Sequence, residues 1–333
     1  MSSIKTWSTP VSSEEKKSIP CNLCGGQKFR PSLSCEGFSY VRCAACGLVQ
    51  MNPQPLEQEI KRRYGAAADA KAGNSYGEDY LAYELANEEP FLNLQLLALR
   101  DAGFDEIEKD LGHRIKRIST NGIRNNSLDN NSRSFVSFDD ENSSSSQCYA
   151  KPKVLDIGCA TGSLLARLRE RGWETVGVEI SKPQAEYGRR KRGLDIRDLP
   201  LEGNKFPSGH FNVVLASNLI EHINDPAGLA GEVHRILVPG GYFFVSTPNI
   251  SGFQARLFGG RWRSAIFDHL YLFSAKTLSR LLGEKGFTIE KTATWGGLAA
   301  GTAPVPVKRV FDKAAKRFGF GDMMIMRAKK GAV

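Results

Sequence analysis

The chain has 333 residues, of which 41% are hydrophobic, and its formal net charge is +9 at neutral pH. This length is enough for one large domain with a smaller one, and the composition is typical of a globular protein. No stretch reaches the roughly 20 apolar residues that a membrane helix needs, and the N-terminus lacks the apolar segment of a signal peptide. We therefore expect a cytoplasmic protein, whose charge either attracts an anionic partner such as RNA or reflects a mildly basic surface.

Four of the seven cysteines form two Cys-x-x-Cys pairs, and a glycine follows each pair. These four residues are Cys21, Cys24, Cys43 and Cys46. Thiolates at this spacing converge tetrahedrally on Zn²⁺, and a zinc ion with four cysteine ligands has no open position for catalysis. The pattern predicts a structural zinc ribbon over residues 21–52, preceded by a flexible N-terminus at 1–20.

Residues 53–103 are predicted to form helices that lead into the main domain, because apolar residues recur at three- and four-residue steps from Tyr76 to Arg100. Pro90 is predicted to mark a break between two helices. The stretch 104–150 is rich in asparagine and serine and has few apolar side chains, so we expect a low-complexity, disordered insertion. A lid that folds over a substrate is the alternative for this segment.

Strands alternate with helices through residues 151–333, which are predicted to form the main domain. The strands are expected at 154–157, 175–180, 211–217, 242–247, 287–291 and 323–329. Such alternation predicts an α/β fold with a Rossmann-like, doubly wound and mostly parallel sheet. A basic amphipathic helix at 307–318 either covers an apolar surface of its own domain or lies on a membrane surface.

The run from Val154 to Gly162 is the most informative stretch, because an apolar strand leads through small residues directly into a helix. Unpaired backbone N–H groups at such a helix start hold the polar groups of a ligand. Gly158 and Gly162 are the only glycines of the run, and Asp156 precedes them, which favours a ligand that carries a cation over a dinucleotide. A second strand leads to Glu179, where an acid is placed to bridge the two hydroxyls of a ribose.

These two stretches, together with those at 206–214, 219–226 and 237–249, resemble the class I S-adenosylmethionine-dependent methyltransferases. The resemblance covers about 153–287 and implies a seven-stranded sheet with S-adenosylmethionine as the cofactor. The cofactor-binding residues that it implies are Asp156, Gly158, Cys159, Ala160, Gly162, Glu179, Ile180, Asp198, Leu201 and Ser217. Many relatives have glycine in place of Ala160, whose methyl group is tolerated if its φ angle is negative.

Three residues are predicted to act on the methyl acceptor, and two of them follow the strand at 211–217. Glu221 and His222 resemble the family's Leu-Glu-His element, which lies where the acceptor docks. Histidine titrates near neutral pH, so His222 is the first candidate for a general base and His269 is the second. In the alternative interpretations, His222 is a buried structural residue, and Glu221 pairs with Asn218 to cap a helix.

The resemblance implies an enzyme that transfers a methyl group to oxygen or carbon of a small-molecule or glycan-related acceptor. The four-cysteine ribbon before this domain resembles the arrangement in sugar C-methyltransferases. Three alternatives stay open: an RNA methyltransferase that uses the ribbon as a clamp, a quinone-type O-methyltransferase with a membrane contact through 307–318, and a cofactor-binding regulatory protein without turnover. No stable protein partner is implied.

Overall fold

The computed structural model describes residues 16–35, 37–56, 58, 76–112, 151–298 and 304–332. Most of the predicted flexible N-terminus and much of the predicted leading segment lie outside these ranges. The strands are β1 (Lys16–Lys17), β2 (Phe29–Cys35), β3 (Phe38–Cys43), β4 (Val49–Met51), β5 (Gln54–Pro55), β6 (Lys153–Ile157), β7 (Glu174–Val178), β8 (Asp195–Arg197), β9 (Phe211–Ser217), β10 (Leu237–Pro248), β11 (Tyr271–Leu272), β12 (Phe287–Trp295) and β13 (Met323–Lys330). The helices are α1 (Tyr76–Ala86), α2 (Glu88–Asp101), α3 (104–112), α4 (Ser163–Glu170), α5 (Lys182–Arg192), α6 (Pro226–Ile236), α7 (Phe253–Phe258), α8 (Ala275–Glu284) and α9 (Val305–Phe318).

Seven strands form the central sheet, in the order β12-β13-β10-β9-β6-β7-β8. The pairs from β10 to β8 are parallel, and β13 runs antiparallel to both of its neighbours. The strands at the centre are almost continuously apolar and buried, as expected for a parallel sheet that is covered on both faces. The predicted α/β, Rossmann-like, mostly parallel seven-stranded fold is confirmed.

The position of the functional site follows from the strand order. Successive strands are added from β6 towards β8 on one side and from β9 towards β10 on the other, so the order changes direction between β6 and β9. Ligands of open α/β sheets bind beyond the carboxyl ends of the strands at such a switch point. Asp156 near the end of β6, Glu179 directly after β7 and Ser217 at the end of β9 all lie at this edge.

Two predictions for the segment before the main domain need correction. The leading helices are separated at Asn87, and Pro90 lies in the first turn of α2, where a missing N–H costs no helical hydrogen bond. The predicted disordered insertion begins too early, because α3 is helical and its first residue, Phe104, is only 1% exposed. The ring of Phe104 packs on Trp173 with centroids 5.5 Å apart, so this apolar helix start is part of the core. The remainder of the predicted insertion, 113–150, lies outside the described residues.

The cysteine ribbon is joined to the main domain through a shared sheet. Its strands β2, β3 and β4 continue into β11, which comes from the main domain and pairs antiparallel with β4. The buried Tyr40 of β3 places its hydroxyl 2.7 Å and 2.8 Å from the carbonyl oxygens of Ile266 and His269. The ribbon therefore supports the segment that carries one of the predicted acceptor-side histidines.

Helix α9 covers its own domain with one face and exposes apolar side chains on another. Ala315 is fully buried, and the ring of Phe311 contacts that of Phe253 with centroids 4.9 Å apart. Val310 and Phe318, in contrast, are 69% and 74% exposed. In the described ranges, none of the helices has the length and apolar character needed to cross a bilayer.

Candidate active site

The loop between β6 and α4 contains three residues with a left-handed backbone. Gly158, Ala160 and Gly162 have φ angles of 73°, 50° and 77°. Glycine adopts this conformation freely, but a side chain with a Cβ atom pays about 1–2 kcal/mol for it. The condition under which the methyl group of Ala160 is tolerated, a negative φ angle, is therefore not met. The N–H of Ala160 donates a hydrogen bond to Oε2 of Glu179 at 3.0 Å, which stabilises the strained residue.

The backbone of Cys159 connects the loop to the end of β7. Its N–H and that of Gly158 both donate to the carbonyl oxygen of Val178, at 3.2 Å and 2.8 Å. Its side chain is buried in an apolar cluster with residues of α4, α5 and β8, and burial raises the pKa of the thiol. The thiol thus packs in the core, and only the backbone of Cys159 is left to line the loop surface.

Two carboxylates lie at the carboxyl ends of β6 and β7. Asp156 is buried, and its burial together with the charge of Glu179 raises its pKa to about 8. Burial raises the pKa of Glu179 to about 7, even though Ser181 and Ala160 donate backbone hydrogen bonds to it. The ionised forms of both groups are disfavoured until a cation or a hydrogen-bond donor approaches. This edge of the sheet consequently favours a ligand with positive charge and hydroxyl groups.

The other residues predicted to bind the cofactor follow the same edge of the sheet. Ile180 is half-buried next to Glu179, and Ser217 ends β9. Asp198 comes directly after β8 and forms an ion pair with Arg189 at 3.4 Å. Leu201 begins a short 3₁₀ turn and its side chain is buried, so a ligand meets its backbone at most.

The three predicted acceptor-side residues come together in space. Ligand-type atoms of Glu221, His222 and His269 all lie within 4.8 Å of one another. The two imidazole rings meet edge to face, with centroids 4.6 Å apart. The turn after β9 and the segment before β11 therefore form one cluster of titratable groups.

Backbone carbonyl groups orient both imidazoles of this cluster. Nδ1 of His222 lies 2.9 Å from the carbonyl oxygen of Asp268, and Nδ1 of His269 lies 2.8 Å from that of Ser264. A carbonyl oxygen only accepts hydrogen bonds, so each Nδ1 carries a proton and each Nε2 is the basic nitrogen. Burial lowers the pKa of both histidines, and the neighbouring His222 lowers that of His269 further. Burial consequently favours the neutral form of both rings.

Glu221 is completely buried, and neither of its carboxylate oxygens has a hydrogen-bond partner within the described part of the chain. Burial raises the pKa of Glu221 to about 8. The alternative that Glu221 and Asn218 cap a helix is wrong, because the next helix begins at Pro226 with Asp225 as its cap. The backbone carbonyl oxygen of Glu221 instead accepts hydrogen bonds from the N–H groups of Leu270 and Tyr271.

This predicted acceptor-side cluster is adjacent to the loop 158–162, the predicted cofactor loop. A Cβ atom added to Gly158 would lie 3.3 Å from Cδ1 of Leu219, so this leucine packs directly against the loop. The N–H of His222 donates to the carbonyl oxygen of Leu219 at 2.9 Å, which closes the turn between them. The backbone carbonyl of Glu221 accepts from Leu270 at 2.7 Å. These contacts connect the loop, the turn and the segment that follows His269.

Two residues at the loop were missed by sequence reasoning. Oε1 of Glu84, on α1, accepts hydrogen bonds from the N–H and the hydroxyl of Thr161, at 3.0 Å and 2.9 Å. The two residues are 77 positions apart, and a glutamate within an amphipathic helix gives no local signal for such a contact. Only the packing of α1 on the main domain reveals it.

The four cysteines of the ribbon converge as their spacing predicts. The sulfur atoms of Cys21 and Cys46 are 3.4 Å apart, those of Cys24 and Cys43 are 3.6 Å apart, and all four lie within 4.8 Å of one another. Ligands about 2.3 Å from a tetrahedral zinc ion would be separated by about 3.8 Å. The cysteines form no disulfide. Their number, type and separation fit a zinc ion.

Comparisons with known proteins agree with this geometry. A family model described as a methyltransferase domain matches residues 105–292, more than half of the chain. Two ubiquinone biosynthesis O-methyltransferases, from Pseudomonas aeruginosa and Acinetobacter baumannii, are 34% and 30% identical to it over 107 residues. Those matches cover 30% of this chain and 46% and 45% of the relatives. The chain thus spans about half the length of the curated relatives it matches.

Solved structures of methyltransferases also align with the chain. An S-adenosylmethionine-dependent methyltransferase from Thermotoga maritima has a TM-score of 0.43 and 24% identity, over 54% of this chain and 82% of that one. A geranyl diphosphate C-methyltransferase from Streptomyces coelicolor has a TM-score of 0.42 and 17% identity, over 54% and 74%. The match of the family model, together with the sheet and the loop described above, shows that this chain belongs to the methyltransferase-domain family, as its resemblance to the class I enzymes predicted.

Proposed function

We propose that this protein is an S-adenosylmethionine-dependent methyltransferase that methylates an oxygen atom of a small molecule, a phenol of the quinone type. Family membership supports the reaction class, and the relatives named ubiquinone biosynthesis O-methyltransferases support the acceptor class. The feature that supports oxygen as the target is His222, whose Nδ1 lies 2.9 Å from the carbonyl oxygen of Asp268 and whose burial favours the neutral imidazole. A hydroxyl group must lose its proton as it accepts a methyl group, and a neutral imidazole accepts that proton.

The residues at the carboxyl edge of the sheet fit S-adenosylmethionine. When bound, this cofactor would supply a methyl group from its sulfonium sulfur, which becomes a neutral thioether once the methyl group is transferred. Glu179 would accept hydrogen bonds from the ribose hydroxyls, and the loop 158–162 would face the methionyl part. The raised pKa values of Asp156 and Glu179 support this assignment, since a cationic ligand favours the ionised form of both carboxyl groups.

On the acceptor side, His222 takes the proton of the substrate hydroxyl at Nε2, while its Nδ1–H stays bonded to the carbonyl of Asp268. His269 packs against the edge of this ring and keeps its orientation. Glu221 has a pKa of about 8, so its carboxyl group is mostly protonated at pH 7 and adds little negative charge. The cluster is thus a nearly neutral, enclosed environment for a single proton transfer.

The four cysteines are proposed to hold a structural zinc ion. The contacts of the ribbon favour a supporting role over an RNA clamp, because β4 is paired with β11 and the Tyr40 hydroxyl reaches the backbone of Ile266 and His269. A glycan-related acceptor is supported only by the resemblance of the ribbon arrangement to that of sugar C-methyltransferases. The ribbon, on this proposal, positions the acceptor-side segment instead of recognising a second substrate.

The experiment is a comparison of acceptors with the purified protein and S-adenosylmethionine. A short-chain prenylated catechol, its mono-methyl ether, a nucleotide sugar and RNA are incubated separately, and products are analysed by mass spectrometry and NMR. We expect a gain of one methyl group on a catechol oxygen. Methylation of the sugar or the RNA with none of the catechol would refute the acceptor class.

The general base is tested by His222→Gln, which is expected to lower kcat for the catechol by about 10²–10⁴-fold and to leave the Kd for the cofactor unchanged. His210→Gln is the matched control, because His210 lies before the opposite, amino end of β9. Full turnover in His222→Gln would exclude this residue as the base.

A further inference from the structure

Helix α1 lies against the cofactor loop through one buried carboxylate. Glu84 is 8% exposed, and its Oε1 accepts the hydrogen bonds from the N–H and hydroxyl groups of Thr161 described above. Thr161 is completely buried and stands just before the first turn of α4. One oxygen of Glu84 is thereby committed to holding the end of the loop.

The second carboxylate oxygen of Glu84 has no such role. Oε2 is buried and, among the residues that the structure describes, no hydrogen-bond donor reaches it. Native proteins rarely leave a buried carboxylate oxygen unpaired, because the group has lost its water without a replacement. Glu88, at the start of α2, differs in this respect, since its carboxylate is paired with Arg192. Glu88 thus already has a cationic partner, whereas Oε2 of Glu84 has no hydrogen-bond partner among the described residues.

The surroundings of Glu84 are acidic. Its hydrogen bonds with Thr161 place it at the loop that also contacts the predicted ribose-binding acid, and its charge raises the pKa of Glu179 and that of the Cys159 thiol. Burial raises the pKa of Glu84 itself; Glu88 raises it further, while Thr161 and Arg192 lower it. Together with Asp156, these acids make the loop a place where a donor with positive charge is strongly favoured.

We propose that Oε2 of Glu84 binds the α-ammonium group in the methionyl part of S-adenosylmethionine, so that α1 closes one side of the cofactor pocket. This inference rests on the proposed function. The ammonium group has three N–H donors and no acceptor, and it is the strongest hydrogen-bond donor of the cofactor. In the proposed function, Glu179 binds the ribose and the loop faces the methionyl part. Oε2 of Glu84, beside the loop, is then the acceptor for the ammonium group.

Calorimetric titration with three ligands tests this proposal. S-adenosylmethionine and S-adenosylhomocysteine both carry the ammonium group, whereas 5′-methylthioadenosine keeps the adenosine and the thioether and lacks the amino-acid part. In Glu84→Gln, the amide oxygen still accepts from Thr161, but the negative charge is lost. We expect the affinity for the first two ligands to fall by about tenfold or more, and the affinity for 5′-methylthioadenosine to stay unchanged.

Glu88→Gln is the matched control, because this acid already has Arg192 as its partner. Its effect on the two ammonium-bearing ligands is expected to be smaller than that of Glu84→Gln. Equal losses for all three ligands in Glu84→Gln, or unchanged binding of S-adenosylmethionine, would overturn the proposal and leave Glu84 as a support of the loop. If the wild-type protein binds none of the three ligands, the proposed function itself is wrong.

Discussion

Ala160 is expected to be the position in the cofactor loop where a single substitution makes the protein more stable. With a φ angle of 50°, its Cβ atom costs about 1–2 kcal/mol, which Ala160→Gly removes. Glycine also increases the entropy of the unfolded chain, at a cost of about 0.4–1 kcal/mol. The difference is a gain of about 1 kcal/mol in the free energy of unfolding, or a rise of about 2 °C in Tm for a domain of this size.

Urea denaturation and thermal unfolding without cofactor measure this change. Ala166→Gly in α4 is the matched control, because it makes the same chemical change in a regular helix and should lose about 0.5–1 kcal/mol. The two variants are thus expected to differ in sign. If both lose stability by the same amount, Ala160 does not have a left-handed backbone and the account of the loop is wrong. Since glycine keeps the N–H that bonds to Glu179, binding of S-adenosylmethionine should be retained.

Three more predictions concern charge, the ribbon and the exposed helix. Binding of S-adenosylmethionine is expected to release protons near pH 7, because the pKa values of Asp156 and Glu179 are raised to about 8 and about 7 and a cationic ligand favours their ionised forms. Calorimetry in two buffers of different ionisation enthalpy measures this release, and binding without proton exchange would contradict it. Because the pKa values of these two groups are higher in the folded than in the unfolded protein, the free protein should also become less stable as the pH rises from about 5 to about 8. Tyr40→Phe removes the hydroxyl next to two buried carbonyl groups, so the free energy of unfolding should fall by about 1–3 kcal/mol. We expect kcat to fall as well. A fall in cofactor affinity alone would argue against a role of the ribbon on the acceptor side. The apolar and basic surface of α9 should bind vesicles of anionic phospholipid in a flotation assay and lose this binding in Val310→Asp; absence of binding to such vesicles would exclude a lipid contact through this helix.

The fold around the predicted cofactor side could be predicted because its information is local in the sequence, whereas the roles of its residues stay predictions. Strand, loop and helix follow one another within a few residues, and the strand predicted at 211–217 has these bounds in the structure. Asp156 and Glu179 each stand at the end of a strand, and the sheet topology alone brings such ends to one edge. The backbone of Ala160 could not be predicted in this way, since alanine argues against the conformation that the neighbouring contacts impose.

The acceptor side could be predicted only as separate residues. Glu221, His222 and His269 were recognisable by type, but their convergence depends on the path of the chain between β10 and β11. The acceptors that fix the tautomers of the two histidines are backbone carbonyls of Asp268 and Ser264, and any residue has a carbonyl. No sequence pattern therefore reports them. The roles of these residues stay predictions.

The two predicted sides of the site are supported by different parts of the molecule. The cofactor loop is held by contacts within the central sheet and by Glu84 of α1. The segment 264–272 is held from the other side by the ribbon, through Tyr40 and the pairing of β11 with β4. We therefore expect changes in the ribbon to move His269 and the predicted acceptor side while the loop 158–162 stays in place. The matched family segment, 105–292, includes the loop 158–162 and does not include the ribbon, so family membership supports the proposed cofactor and does not bear on the acceptor.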